Sequence, residues 1–561
     1  MATKLAAILL VGLCAAGPAL LNDGYTRTKT HLGGNQYSKV HSEEHKHSVV
    51  YFPDIEALSK EYMDRATKKQ NTELDLSTIT CQWGEGPDYF RFLPQQKAQV
   101  FKNKGPVSFS NHCFQKVTAE ITSFDADSVE VTITSSDASS WFCYDTYFVA
   151  ILNSFHVEKM DFSGKHRFTF KNLSDEEIYD IEKNGVRIFV FCDGLVDLFA
   201  DFFMTLKLFL GGFSTNPHIP IVGSHTTWYM DESNIKFLEH SIGYKMEKRP
   251  VSKVNIPESE IHSGDFLAIT RLDGLDEIIM YGSGSRVGHS TMALWIEEDG
   301  KRELYIVESQ DGWYWPVGGF QKNKFSQWME WAENASFNIA VLPLKPEVRA
   351  KFNETAAYEW FKSVEGTPYG YHNFLFGWID TPRDNFPPLL PPEILPILFR
   401  VAEKIIPKEI DSILNEALNK RLGTEGLRLQ EIEVEAGKQG KGGILDLMAE
   451  VEQEGWVYSD GISLVCSSFV LAMYKRAGIL GDLELSAPEF TPRDVTSLNL
   501  FDLNYDRPQA CKDADPDLPY CQILGNYRID LGPEYSTIEP YNHMNERCPS
   551  IAPEFKRPAG C

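Results

Sequence analysis

Basic residues are scarce. The chain has 561 residues, with 54 Lys and Arg against 79 Asp and Glu, a formal net charge of −25. Nonspecific nucleic-acid binding runs on cationic side chains against phosphate, so no nucleic-acid partner is expected. The same balance predicts repulsion from anionic membrane surfaces. Long apolar runs are also missing beyond the N-terminus. The best rival, 189–213, is interrupted by Asp193, Asp197, Asp201 and Lys207, and no transmembrane anchor is expected there. There is no internal repeat and no cofactor motif. His41, His45 and His47 lie close together in a polar segment, 22–50. Solvated chain is the first reading of that segment and metal binding the second; no metal or cofactor is expected.

What is present argues for folded, exported material. Hydrophobic residues reach 43% and aromatics 12%, enough for sizeable cores, which excludes a wholly disordered chain. The length predicts two domains with additions. Lys4 precedes an apolar run, Leu5 to Leu13, followed by small residues at Ala15, Ala16, Gly17 and Ala19. That order predicts a cleaved signal peptide over 1–19, with a membrane anchor as the alternative. The expected location is therefore secreted or lysosomal. Asn172, Asn334 and Asn353 open Asn-x-Ser/Thr glycosylation sequences.

Ten cysteines sharpen the compartment. Cys14 falls in the signal peptide. Cys81, Cys113, Cys143 and Cys192 form one set, and Cys511, Cys521, Cys548 and Cys561 another. Each set can close two disulfides in an oxidising lumen. Cys466 stands apart and is expected to remain a thiol.

Along the chain, residues 50–245 read as a β-rich, disulfide-tied domain resembling a sandwich. SVEVTIT (128–134), YFVAILNSF (147–155), HRFTF (166–170) and RIFVF (187–191) are its strands. A second domain spans 254–500. FLAIT (266–270), TMALWI (291–296), LYIVES (304–309) and FNIAVLPL (337–344) read as strands, and 346–364 as a helix. Residues 375–450 interrupt the pattern as an insertion. Its Pro-rich, apolar part, 386–399, suits a lid, an acyl-chain groove or a packed connector. The tail, 505–561, is Cys-rich and reads as loops held by disulfides.

The chemistry gathers around SLVCSSFVLAMYKRA (463–477), a predicted helix with Ser463 as N-cap. Val465, Phe469, Ala472 and Met473 make its apolar face. Cys466 falls in the first turn, where the helix terminus favours a thiolate and backbone N–H groups can hold an oxyanion. A small buried thiol is the alternative. A nucleophilic thiolate needs an imidazole, and His289 opens a strand directly after a Gly-rich loop. The imidazole needs an acceptor to orient it. Glu308, near the end of the next strand, can supply one, with Gln310 and Asp311 as fallbacks; an ordinary strand-end carboxylate is the other reading.

SGDFLAI (263–269), GHSTMALW (288–295), IVES (306–309), GTPYGYHNF (366–374) and LVCSSFVLAMYKRAG (464–478) occur in that order. Together they resemble the circularly permuted papain-fold amidases of the NlpC superfamily, closest to the YiiX/YebB type, with lecithin retinol acyltransferase a more distant cousin. Histidine precedes cysteine here, as in that permuted group. The resemblance covers roughly 255–480. It implies an α+β fold: a permuted papain-like domain, preceded here by the β-rich domain and followed by the tail. It implies Cys466 as nucleophile, His289 as base, Glu308 as the third residue, and Asp265 and Tyr369 as matched elements near the substrate. The activity implied is cysteine hydrolysis of an amide, in a peptide or N-acyl compound, through a thioester. Acyl transfer or cleavage of a lipid-like acyl ester is an alternative within the superfamily. A non-catalytic secreted binding protein on the same scaffold is the alternative from another class. Substrate and oligomeric state are not legible in the sequence.

Overall fold

The computed structural model describes residues 94–111, 113–138, 145–160, 163–191, 228–310, 318–377, 392–405 and 407–544. The expected signal peptide, His41, His45, His47, Cys81, Cys143, Cys192, Cys548, Cys561, Asp311 and residues 386–391 lie outside the described residues. The chain is mixed α and β and divides into two compact units. One holds 96–190 together with 396–410. The other holds 191–395 and 411 onward. The insertion expected at 375–450 is therefore split, with part of it belonging to the first unit.

In the first unit the strands are β1 (Gln95–Val100), β2 (Val107–Phe109), β3 (Phe114–Phe124), β4 (Ser128–Ala138), β5 (Asp145–Ala150), β6 (Phe155–Met160), β7 (Gly164–Lys171) and β8 (Val186–Phe191). They form two four-stranded sheets, ordered β1-β8-β5-β6 and β2-β3-β4-β7. In β7 alternate residues His166, Phe168 and Phe170 point inward, as a sheet with one solvated face requires. Both sheets feed one core that includes Phe114, Val131, Tyr147, Phe168 and Ile188. The strand expected over 147–155 is two strands. The chain turns after Ala150, with the Ile151 N–H donating to the Ser154 carbonyl at 2.9 Å, because Asn153 and Ser154 favour a turn. Helix α1 (Asp175–Asn184) starts on a capping box made by Ser174 and Glu177. Its Asp180 is buried and paired with Arg187 at 2.6 Å. The helix Leu395–Ile405 belongs here, since Lys404 donates to the Asn153 carbonyl at 2.7 Å and Arg400 to its side chain. In the described part of the Pro-rich stretch, Ile394, Ile397, Leu398 and Phe399 are buried.

The second unit is built on a six-stranded antiparallel sheet: β9 (Phe266–Thr270), β10 (His289–Glu298), β11 (Lys301–Gln310), β12 (Gly319–Lys324), β13 (Asn338–Leu342) and, from the tail, β16 (Cys521–Leu524). A two-stranded ribbon, β14 (Val457–Tyr458) with β15 (Gly461–Ile462), lies outside it. The order in the sheet is β12-β11-β10-β9-β13-β16. Asp299 and Gly300 make the two-residue turn between β10 and β11. Both have positive φ, 52° and 72°, the conformation that short hairpins require. That turn fixes the register as far as Met292 opposite Val307.

Four helices position the site: α2 (Leu275–Ser283), α3 (Phe325–Asn334), α4 (Tyr371–Phe376) and α5 (Cys466–Arg476). Strand alternation sorts the core into two sides. Met292, Leu294 and Val307 pack with Phe469, Val470 and Met473 of α5. Ala293, Leu304 and Ile306 pack with Trp328 and Ala332 of α3. Burying such side chains stabilises by roughly 1.5–3 kcal/mol each, which clamps the sheet between the two helices. The helix expected over 346–364 is broken in two, at Pro346–Arg349 and Glu354–Val364, because the Asn353 side chain caps a new start by accepting from the Ala356 N–H at 3.0 Å. The tail is not only loops. β16 closes one sheet edge, and Cys521 within it is bonded to Cys511.

Candidate active site

His289 is the first residue of β10 and is buried. The preceding residue must be small. A Cβ on Gly288 would sit 2.3 Å from Asp276 Cγ, and Asp276 is itself held by Arg271 at 2.7 Å. The Gly288 N–H donates to the Ile269 carbonyl at 3.0 Å, which delivers the imidazole to the end of the sheet. Its Nε2 meets Glu308 Oε2 at 3.0 Å. Glu308 is fully buried on β11, and Trp328 Nε1 of α3 donates to its other oxygen at 3.0 Å. A buried indole N–H needs an acceptor, and a buried carboxylate needs donors, so the two satisfy each other.

Cys466 opens α5 and is the free thiol among the described cysteines. Hydrogen bonding and charge at Cys466 act on the His289 ring, so the two side chains are neighbours. Because Nε2 is on Glu308, the thiol has Nδ1 for its partner. The helix starts two residues later than expected. Ser463 does not cap it; its hydroxyl instead accepts from the Asn373 backbone N–H at 3.0 Å. Val465 is the N-cap and supplies no side-chain hydrogen bond, so the first-turn N–H groups of Cys466 and Ser467 are left uncapped beside the thiol.

Asn373 of α4 anchors the approach to Cys466. It is fully buried. Its Oδ1 accepts from the Val465 N–H at 2.9 Å and its Nδ2 donates to the Pro488 carbonyl at 2.7 Å. From β11, the Ser309 hydroxyl donates to the Leu464 carbonyl at 2.9 Å. Gly370 lies so close to this segment that a Cβ would be 2.3 Å from the Leu464 nitrogen. Trp328 and Asn373 were not singled out from sequence. Trp328 looks like any core aromatic in an amphipathic helix, and Asn373 is one polar residue inside GTPYGYHNF.

Burial lowers the basicity of the His289 ring, since charging it means losing water. The hydrogen bonds to Cys466 and Glu308 and the negative charge on Cys466 outweigh burial, and the pKa rises to about 9. Arg271 opposes the rise weakly. The arrangement therefore favours an imidazolium held between Cys466 and a carboxylate.

The cleft at the thiol is lined by Cys466, Ser467, Ile279, Tyr369, Phe374 and Phe490, among others, and has room for about 20 Å³, close to one water. A roomier hollow of about 270 Å³ lies elsewhere, at His262, Trp295, Arg302 and Arg349. It holds no cysteine, and Trp295 is six residues along β10 from His289, so the narrow cleft is the better candidate for the chemistry of Cys466. No family model, curated protein or solved structure matches the chain. The chemistry is therefore read from the geometry of the site.

The remaining site expectations divide. Tyr369 lines the cleft. Asp265 does not reach it. Ala293 N–H donates to the Asp265 carbonyl, which places Asp265 beside Ala293, four extended residues or roughly 13 Å from His289. Its carboxylate is occupied by Arg349 at 2.9 Å, by the Leu344 N–H at 3.1 Å and by the His262 N–H at 2.8 Å. The Gly-Asp pair at this strand opening is a turn device, and Asp265 does not line the cleft at the thiol. Cys511 pairs with Cys521, within its expected set, and Cys113 is disulfide-bonded. Asn172, Asn334 and Asn353 are all exposed; Asn353 caps its helix through Oδ1, leaving Nδ2 for a glycan. Among the described residues no helix is long and apolar enough to cross a membrane, and no cluster of His, Cys, Asp or Glu could hold a metal ion.

Proposed function

We propose that the chain is a cysteine hydrolase that cleaves an amide bond, in a peptide or an N-acyl compound, through a thioester on Cys466. The observation that carries this reading is the buried Cys466 beside His289, whose ring is hydrogen-bonded to Glu308, with Trp328 completing the carboxylate. A merely structural thiol needs no imidazole, and a structural imidazole needs no fixed carboxylate behind it.

The Cys466 thiolate attacks the acyl carbon, and the carbonyl π electrons move onto oxygen. The uncapped N–H groups of Cys466 and Ser467 face that charge. Imidazolium Nδ1–H then protonates the leaving nitrogen as the C–N bond breaks, giving amine and thioester. Nδ1 next takes a proton from water, the hydroxide adds to the thioester carbon, and the thiolate leaves, returning as the ion pair. Glu308 holds Nε2–H, which keeps Nδ1 pointed at sulfur. The apolar walls at Ile279, Phe374 and Phe490 suit an uncharged acyl side chain. The antiparallel sheet with its cysteine-first helix is consistent with the permuted papain-like resemblance. The disulfide suits an oxidising lumen, so the proposed location is secreted or lysosomal.

The test is labelling of the intact protein by iodoacetamide at pH 7, compared with Cys466→Ala. Rapid, saturable labelling of Cys466 supports the reading. A Cys466 that labels no faster than an ordinary buried thiol favours the non-catalytic binding protein.

A further inference from the structure

The hollow of about 270 Å³ has a chemistry of its own. At roughly 30 Å³ for each water it has room for about nine waters, or for a ligand the size of benzoate. Trp295 lines it, six residues along β10 from His289. At roughly 3.3 Å per residue that is about 20 Å of strand, and no residue of the hollow lines the cleft at Cys466. Its walls are fixed before any ligand arrives. The Trp295 indole Nε1 donates to the Ile261 carbonyl at 2.8 Å, and its backbone N–H donates to the Ser263 hydroxyl at 2.9 Å. Phe352 supplies a second ring, packed so closely on Gly264 that a Cβ there would be 2.7 Å from it.

Charge in the hollow runs against that of the chain. Carboxylates outnumber Lys and Arg overall, 79 to 54. In the lining the charged groups are Arg302, Arg349 and a single carboxylate, Glu354, with His262 beside them. Arg302 comes from β11, its guanidinium carbon 5.9 Å from the centre of the Trp295 ring. Among the described residues only its Nη2 is hydrogen-bonded, to both Glu354 oxygens at 3.0 Å. Arg349 likewise gives Nη2 to Asp265 at 2.9 Å. Asp265 already accepts from the Leu344 and His262 N–H groups, and Arg349 Nε meets no partner, so the carboxylate does not fully offset this guanidinium. Two half-used guanidinium forks beside fixed rings match the oxygens of a carboxylate or phosphate carried on a flat apolar body. We propose that this hollow binds a small aromatic oxyanion, an aryl carboxylate or aryl phosphate. The oxyanion lies on Arg302 and Arg349, and the ring lies against Trp295 and Phe352. The site does not depend on the chemistry of Cys466.

Calorimetric titration of the full-length protein tests this with four probes: benzoate, its neutral counterpart benzamide, phenyl phosphate and inorganic phosphate. Benzoate or phenyl phosphate should saturate with a dissociation constant below about 10 mM, which modest binding per atom gives for a ligand of this size. The tighter of the two identifies the oxyanion. Benzamide should bind at least about tenfold more weakly, having no charge for the forks to meet. Inorganic phosphate should also be weaker, because it leaves both rings uncovered. Arg302→Gln should weaken the tighter ligand by about tenfold or more. Without ligand its melting temperature should match wild type, since the pair with Glu354 is largely exposed. Arg349→Lys, which keeps a cation beside Asp265, should weaken the ligand as well. Failure of both aryl oxyanions to saturate would overturn the proposal and leave a hollow that holds only water. Benzamide or inorganic phosphate binding as tightly as the aryl oxyanion would contradict the paired role of forks and rings. Full affinity in Arg302→Gln would place the ligand elsewhere and sink the assignment.

Discussion

Glu308→Gln is nearly isosteric, yet the geometry predicts a large effect. Oε2 faces His289 Nε2 and Oε1 faces Trp328 Nε1, both at 3.0 Å. Both contacts bring donors. A carboxylate accepts twice; an amide offers one oxygen and one NH₂. The indole nitrogen is a donor only, so it claims the oxygen. The NH₂ then faces His289, and the ring answers by baring Nε2 and carrying its proton on Nδ1. That tautomer points N–H at Cys466 and cannot take its proton. The opposite amide orientation sets NH₂ against the indole N–H and leaves a buried donor unpaired. A hydrogen bond to a charged group contributes about 1.5–3 kcal/mol, so the ion pair should become roughly ten- to a hundredfold less populated. The assay is the iodoacetamide rate at pH 7, followed by mass, with Cys466→Ala as blank. Glu308→Gln should be slower by that factor. Its rate should climb toward wild type only as the pH approaches the range where an ordinary thiol ionises, about 8.5. A wild-type rate and pH profile in Glu308→Gln would refute the claim that the carboxylate sets the tautomer.

Trp328→Phe keeps most of the apolar volume and removes the indole donor to Glu308; it should cost about 1–3 kcal/mol in urea unfolding and slow Cys466 alkylation. His289 has a folded pKa raised to about 9 against an ordinary 6.5. Its stabilising contribution is thus complete below about pH 6.5 and is lost as pH rises through about 9, by about 3 kcal/mol. Denaturation of wild type and His289→Gln across that range should show the difference shrinking; a difference that grows with pH contradicts it. Asn373→Ala strips partners from the Val465 N–H and the Pro488 carbonyl and should destabilise by about 2–4 kcal/mol, read by urea unfolding. Opening the Cys511–Cys521 loop with paired serines should cost about 3 kcal/mol, measured by the same unfolding.

Legibility in the sequence followed locality. β9 coincides with FLAIT because a short β-branched and apolar run between turn residues carries its own signal. His289 near Glu308 could be anticipated because consecutive strands pair, and Asp299-Gly300 is a strong hairpin turn. Where a distant partner decides, local signals mislead. Ser463 is a good N-cap by type, but Asn373, ninety residues earlier, uses its hydroxyl, and the helix begins at Cys466. Asp265 reads as a site carboxylate until Arg349 is seen to hold it. The role of Trp328 depends on α3 crossing β11, which no window of the sequence contains. The tail strand β16 is four residues long and sits among Pro, Asp and Asn, so its place in the sheet comes from its partner β13.

The long separation between His289 and Cys466 follows from the same bonds. What fixes Cys466 is not the chain leading to it through 411–462 but three contacts made by segments that come earlier. Ser309 holds the Leu464 carbonyl, Gly370 packs on the Leu464 backbone, and Asn373 holds the Val465 N–H. All three come from elements fixed near the site, on β11 and at or just before α4. The entry to α5 is therefore anchored beside the sheet that carries His289 and Glu308, whatever lies between. Loop-closure entropy grows only logarithmically with length, about 0.6 kcal/mol for each doubling, so inserted sequence costs little once the ends are pinned. A His–Cys pair at elements' starts, with anchors upstream of the intervening segment, can keep its geometry while that segment changes length.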